Sequence, residues 1–364
     1  MKTRVAIACQ GGGSETAFTA GVLKALFEEN KLRDHFKVAS LSGTSGGALC
    51  AFFSWYAHKK GDDCLWKRLI DFWEDNKAQT PQERLFNDFV IETTKLTSQG
   101  LIPQFNLSPS NPIVQTWFSL ATMGLRSRYS HFEELLAAHI DFSEVKAWGA
   151  QPEPPVVVLG ACNIITGRLH KFCSAFEPIE MEHLRASACV PNIFPAVTIG
   201  PMAYWDGLFS ENPPITPLIN RDYVGVKNIA QEIWVIKIDR TTDDKIPTAP
   251  DEILDRRKQV ESNISLFQGI REIKDINTLM LRGAFRDEFL AEVDVKEPIK
   301  IPKMFPEDAD QPYHIPMIEM SEELSKTLTW EDKLNRSPEN INRLIQDGEK
   351  QGKKFIEARL RQMG

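Results

Sequence analysis

Ser40-Leu41-Ser42-Gly43-Thr44-Ser45-Gly46-Gly47-Ala48-Leu49-Cys50 is the stretch that decides the fold. An apolar run, Phe36 to Leu41, enters it, and a small-residue helical pattern, Gly46 to Ala57, leaves it. Between them lies Gly-x-Ser-x-Gly, the pattern of a strand that turns sharply into a helix and holds a serine hydroxyl at the apex. A side chain two residues before or after Ser45 would collide with the neighbouring strand or helix, so Gly43 and Gly47 suit the turn. The helix N-terminus beneath Ser45 also points backbone N–H groups at any negative charge that develops there. By itself such a turn is ordinary punctuation between a strand and a helix.

A second glycine cluster changes the weight of the first. Lys2 to Cys9 reads as a short buried strand, and Gln10-Gly11-Gly12-Gly13-Ser14 follows at once. A helical pattern then runs from Glu15 to Asn30, with Phe18, Val22, Leu23 and Leu26 at three- and four-residue steps. Three glycines at a helix start expose unhindered N–H groups, which suit an oxyanion or a phosphate. A dinucleotide fingerprint needs glycine at position 16, where Thr16 stands, and no Gly-Lys-Ser/Thr ending completes a P-loop. An oxyanion hole at Gly11, Gly12 and Gly13 is the better use.

The third piece lies far downstream. Leu184-Arg185-Ala186-Ser187-Ala188-Cys189-Val190-Pro191 leads to a hairpin-like stretch, Val197 to Trp205, that closes on Asp206-Gly207. Asp-Gly alone is a common turn. The order of the three motifs resembles the patatin-like phospholipase family over Val5 to Ala51 and Leu184 to Pro214, with looser similarity between. The resemblance implies a Ser-Asp dyad that hydrolyses acyl esters of lipids. Ser45 would be the nucleophile, Asp206 its base and Gly11 to Gly13 the oxyanion hole, with Gly43, Gly46 and Gly47 in the elbow and Gly207 in the acid's loop. It also implies a three-layer α/β/α fold with a mainly parallel central sheet and a helical insertion. The family's glycine loop usually continues x-Arg/Lys-Gly, whereas this chain has Ser14-Glu15-Thr16. Glu15 in the first helical turn favours the helix dipole and is expected to disfavour an anionic head group. Gln10 replaces a common aspartate, a change to which the sequence attaches no consequence.

At 364 residues the chain accommodates two domains or one large α/β domain with insertions. The reading taken is one domain over 1–364, with core motifs in 1–57 and 155–240. Residues 64–140 form a helical insertion or cap, and 250–364 a helical extension packed on the core. Hydrophobic content of 42% and charged content of 26% are those of a globular chain. A net charge of −7 disfavours nucleic acid and gives weak attraction to an anionic membrane. The six cysteines contain no C-x-x-C pair, so reduced thiols and a cytoplasmic location are expected, with no metal and no cofactor. The apolar run before Gln10 is too short for a secretory signal, and the ten-residue block Ala48 to Ala57 cannot span a bilayer. That block reads as the buried helix behind the elbow.

Between Cys64 and about Ile140 no strand is evident. Leu65, Leu69, Phe72 and Trp73 suit a helix, as do Leu85, Phe86, Phe89 and Val90, and Ser108 to Pro112 starts another before Ile113 to Met123. Trp66, Trp73, Phe105, Trp117 and Phe118 are expected in core packing, or else on the inner face of a cap that lines an acyl-chain groove. Strands are expected at Val156 to Gly160, at Arg168 to Cys173 after a Thr166-Gly167 turn, and at Ile233 to Ile238. A long helical stretch runs from Pro250 to about Val293, and His314 to Met320 reads as an edge strand. The last helix starts at Ser337-Pro338 and carries Ile341, Leu344, Ile345, Phe355 and Ile356 as an apolar stripe that docks on its own domain. A transient peripheral membrane contact is the minor alternative.

The leading functional reading is transfer of an acyl group from a lipid-like ester to Ser45 and then to water. Asp206 acts directly as base, and Tyr204 and Trp205 are expected to wall it in apolar surroundings that raise its pKa. Acyl transfer to another alcohol uses the same residues. Two other readings stand beside it: an esterase with the triad Ser45, Asp206 and His314, and a non-catalytic lipid-binding module. Oligomeric state is not legible.

Overall fold

β1 (Thr3–Cys9) and β2 (Phe36–Thr44) are parallel neighbours, with Thr3 opposite Phe36 and Cys9 opposite Gly43. β1 is buried without a break from Val5 to Cys9, as a strand covered on both faces must be. Its alternate residues serve two cores. Val5, Ile7 and Cys9 join Phe18, Val22 and Leu26 of helix Ala17–Glu28, together with Trp55 of helix Gly46–Lys60. Ala6 and Ala8 face the other way, onto Ile233 and Val235 and onto Leu266, Ile270 and Ile273 of helix Pro250–Leu281. The result is a sheet between two helical layers. The computed structural model describes residues 2–362 apart from 29, 104–107, 192, 294, 296 and 304–313, with residues 30, 31 and 33 described by backbone alone.

Three more strands extend the parallel sheet. β3 (Val156–Asn163) continues it beyond β2, with Ser40 opposite Val156 and Thr44 opposite Gly160. On the other side, β7 (Glu232–Lys237) flanks β1, and β10 (Ile318–Glu319) forms the edge beyond β7. β4 (Arg168–Cys173) runs antiparallel along one edge of β3 from Val158 to Asn163. β6 (Met202–Asp206), the second arm of a hairpin with β5 (Val197–Ile199), pairs antiparallel with Ala161 to Asn163. A strand has two edges, and β4 occupies one of them along this length. β6 therefore takes over the edge of β3 that β2 has just left. This register brings Asp206, opposite Ala161, beside the end of β2 at Thr44, opposite Gly160.

The elbow helix Gly46–Lys60 is buried from Gly46 to Ala57, which is why its sequence lacks a polar face. Residues 64–140 contain helices and no strand among the described residues. Leu69, Phe72 and Trp73 of helix Lys67–Asn76 are buried, and the Phe72 ring lies 5.0 Å from that of Phe53 on the elbow helix. The expectation of core packing holds for Trp73 and fails for Trp117 and Phe118. Helix Pro112–Ala121 buries none of its residues, and Trp117 is 59% exposed. Leu85 and Phe89, on helix Pro81–Ser98, are also exposed. Phe105 lies outside the described residues.

The stretch expected as one edge strand at 314–320 is divided. β9 (His314–Pro316) pairs with β8 (Ile301–Lys303) in a separate two-stranded sheet, and β10 belongs to the main sheet. Pro316 ends β9 because it has no N–H to continue a ladder. Helix Pro338–Arg361, capped by the Ser337 hydroxyl on the Asn340 N–H at 3.3 Å, lies along helix Ala17–Glu28 with Ile341, Leu344 and Ile356 buried. At its far end Arg359 donates from Nε to the fully buried Glu232 at 2.9 Å and so ties the helix to β7.

Candidate active site

The site stands where β1 and β2 end and β6 arrives. Ser45 has φ 57 and ψ −131, the one positive φ at a non-glycine among the described residues. A backbone held there is strained by about 1–3 kcal/mol, and surrounding contacts must hold it. A Cβ on Gly43 would overlap the Gly47 carbonyl, and one on Gly47 would overlap the Cys9 carbonyl, so strand and helix cross at backbone contact as the motif requires. The Ser45 N–H donates to both the carbonyl and the hydroxyl of Ser187, each at 3.1 Å. The Ser187 hydroxyl in turn donates to the Gly160 carbonyl at 2.7 Å. Ser187 is thus the strut under the elbow, a role its motif alone did not disclose.

Asp206 is fully buried. Its Oδ1 accepts from the Leu208 N–H at 2.8 Å, and Oδ2 has no hydrogen-bond partner among the described residues. Burial drives the carboxyl up to about 7, against the pull of the Leu208 N–H and of the Ser45 hydroxyl. The Ser45 hydroxyl is thus near enough to act on this carboxylate, and hydrogen bonds of an acid–base pair often tighten only around substrate. No imidazole is among the groups that act on this carboxylate. His314 opens β9 at the β10 side of the fold, with β7 and β1 between that edge and β2. The expected walls are half correct. Strand alternation puts Tyr204 on the Asp206 face, buried with its ring 5.3 Å from Phe172, and turns Trp205 to the opposite face, 37% exposed.

The glycine loop differs from expectation at its first residue. The Gly11 N–H donates to Asn212 Oδ1 at 2.7 Å, so it is spent on the protein's own loop. Neither the Gly12 nor the Gly13 N–H has an acceptor among the described residues. Gln10, to which the sequence attached no consequence, is fully buried and joins four segments. Its Oε1 accepts from Ile238 and Asp239 N–H at 2.8 and 3.0 Å, and its Nε2 donates to Asn263 Oδ1 at 3.0 Å and, more weakly, to the carbonyls of Asn212 and Ser262. An ionised aspartate could make the acceptor bonds and none of the donor bonds.

Glu15 corrects a second expectation. It is buried and pairs with Lys333 Nζ at 2.9 Å, while the same ammonium meets Asp239 Oδ1 at 2.8 Å. Burial pushes the Glu15 carboxyl upward against the pull of Lys333. Burial also pulls the ammonium down, but Asp239 and Glu15 outweigh it, and its pKa rises. A buried, paired carboxylate presents no free charge to a head group. The local dipole rule placed it in a first turn without foreseeing a cation 318 residues away.

Among the described residues no cluster of three or more His, Cys, Asp or Glu side chains could hold a metal ion. None of their helices is long and apolar enough to cross a membrane. A Cβ on Gly46, the third elbow glycine, would overlap the Thr16 hydroxyl and lie 2.8 Å from the Gly13 carbonyl. One on Gly207 would overlap the Gly160 carbonyl of β3 and lie 2.9 Å from the Thr44 methyl, so the elbow packs closely against both the glycine loop and the Asp-Gly turn.

The family model for patatin-like phospholipase matches residues 7–219. No curated protein matches the chain. Among solved structures, VipD from Legionella pneumophila is similar with 14% identity and a TM-score of 0.40, covering 98% of this chain and 67% of that one. The ExoU–SpcU complex from the type III secretion system of Pseudomonas aeruginosa is similar with 17% identity and a TM-score of 0.25, covering 82% of this chain and 57% of that one. The family match spans more than half of the chain and includes the glycine loop, the elbow and Asp206-Gly207, so this protein belongs to the patatin-like phospholipase family of lipid acyl hydrolases.

Proposed function

We propose that the chain hydrolyses carboxylic esters of lipids, in the manner of a phospholipase A or lysophospholipase, through a Ser45–Asp206 dyad. The observation that carries this reading is a fully buried carboxylate with one unpartnered oxygen beside a serine in a strained turn. A carboxyl that titrates near 7 is a far better match to a serine proton than one near 4. Ser45 Oγ attacks the acyl carbon while its proton passes to Asp206 Oδ2. The carbonyl electron pair moves onto the oxygen, where the N–H groups of Gly12 and Gly13 stabilise it; one such donor is worth about 3 kcal/mol of barrier. Collapse expels the alcohol, which takes the proton from Asp206. Water then repeats the sequence on the acyl-serine, releasing the fatty acid and restoring Ser45.

The reading is tested with a fluorophosphonate probe and a panel of phospholipids, lysophospholipids and short esters. Labelling at Ser45 and turnover are expected in the wild type, with both lost in Ser45→Ala. Labelling elsewhere, or none on folded protein, rejects the enzyme and leaves a lipid-binding module. A His314→Ala variant that loses turnover while Asp206→Asn keeps it rejects the dyad in favour of the triad.

A further inference from the structure

A loop of three glycines has no side chains to hold it, yet oxyanion donors work only if their direction is fixed before the reaction. Asn212 fixes Gly11. The brace for the next two residues comes from the 3-10 turn Trp330–Leu334. Gly13 has φ +55, and a Cβ there would overlap the Lys333 carbonyl oxygen, so the two backbones are in contact. A Cβ on Gly12 would lie 2.7 Å from Ile238 Cγ2 and 3.4 Å from Lys333 Nζ.

The ammonium holds both ends of the loop. It meets Glu15, just after the glycines, at 2.9 Å and Asp239 at 2.8 Å. The Asp239 backbone is in turn anchored through its N–H to Gln10, the residue before the glycines. The turn that carries Lys333 is itself pinned: the Trp330 N–H donates to Asp255 on the long helix at 2.9 Å, and Glu331 accepts from Ser98 of the insertion. Two carboxylates surround the one ammonium, so its charge is answered locally. Its contribution to the site is position and not field.

We infer that Lys333 is a positioning residue for the hydrolytic reaction, its ammonium joining Glu15 to Asp239 and its carbonyl seating Gly13, so that the Gly12 and Gly13 N–H groups face the Ser45 hydroxyl. The inference rests on the hydrolase reading for its consequence, but the clamp itself can be measured without it.

The test compares wild type, Lys333→Met, Lys333→Arg and Glu15→Gln in the full chain. One measurement is kcat and KM for ester hydrolysis, and the other is amide hydrogen exchange of the segment 9–17 beside the rest of the chain. A loop displaced by about 1 Å costs on the order of 100-fold. Lys333→Met should therefore lower kcat by about 10- to 100-fold with KM within about threefold, and should speed exchange in 9–17 selectively. Lys333→Arg, which keeps two-sided ion pairing, should recover most of kcat. Glu15→Gln, the milder change, should move both readouts the same way by several-fold and stands in if Lys333→Met does not fold. Unchanged kcat and local exchange in a folded Lys333→Met or Glu15→Gln overturn the clamp. So does exchange that rises throughout the chain, which marks a merely structural residue. If the wild type shows no Ser45-dependent turnover, the hydrolase reading fails and the exchange comparison still decides the clamp.

Discussion

Asp206→Asn is expected to remove activity and, as pH rises, to stabilise the fold. The wild-type carboxyl titrates at about 7 when folded and at about 3.9 in an unfolded chain. Between those values the folded state binds more protons than the unfolded state, so this group makes stability fall as pH rises. With those two pKa values the loss between pH 5 and pH 8 comes to about 2.5 kcal/mol, from a full penalty of about 4 kcal/mol above pH 8. Asparagine keeps the acceptor for the Leu208 N–H and cannot ionise. Any fixed cost of its amide is the same at both pH values, and the shifts of other groups cancel in the comparison. The assay is urea unfolding of both proteins at pH 5 and pH 8, beside ester hydrolysis over the same range. The stability difference, variant minus wild type, should rise by about 2.5 kcal/mol from pH 5 to pH 8. Wild-type kcat/KM should climb about tenfold per pH unit below 7 and level off above it, while the variant loses at least about 100-fold. A stability difference that is flat with pH would mean that Asp206 ionises freely in the fold, and the account of it as a desolvated base would be wrong.

Two further substitutions probe the supports around the site. Ser187→Ala removes one of the two acceptors of the Ser45 N–H and leaves the Gly160 carbonyl without its hydroxyl donor, so a loss of about 1–3 kcal/mol in thermal or urea unfolding is expected, with a lower labelling rate at Ser45; full-rate labelling would show that the elbow holds its strain without this strut. Arg359→Met leaves Glu232 buried with the Trp234 N–H at 2.9 Å and Lys300 at 3.8 Å as its remaining partners, so unfolding measurements should show a loss of about 3 kcal/mol, at the low end for a broken buried pair, with kcat unchanged in the folded fraction.

What the sequence discloses is the chemistry that must be local. Gly43, Ser45 and Gly47 sit within one turn, so steric need and spacing coincide, and the structure has the crossing those glycines require. The apolar runs of β1, β3 and β7 are covered on both faces, and such strands announce themselves without any partner being known. The converse holds wherever a residue's role is set by one distant in the chain. Gly11 and Gly12 are the same residue type in the same cluster, and an Asn212 side chain 201 residues away decides which of them keeps a free N–H. Glu15 satisfies a rule about helix starts, but that rule is silent on whether the position is exposed. Lys333 sits in a short turn whose own sequence carries no catalytic pattern. Trp117 and Phe118 look like core residues because large apolar side chains usually are, yet among the described residues no other element buries their helix. Even Asp206, readable as an acid from its order after the elbow, owes its elevated pKa to a register the sequence does not print: β6 continues the edge of β3 where β2 stops, which buries the carboxylate against the turn that presents the serine. In the dyad we propose, the motif supplies the reacting groups, and strand pairing supplies the desolvation that would make one of them a base.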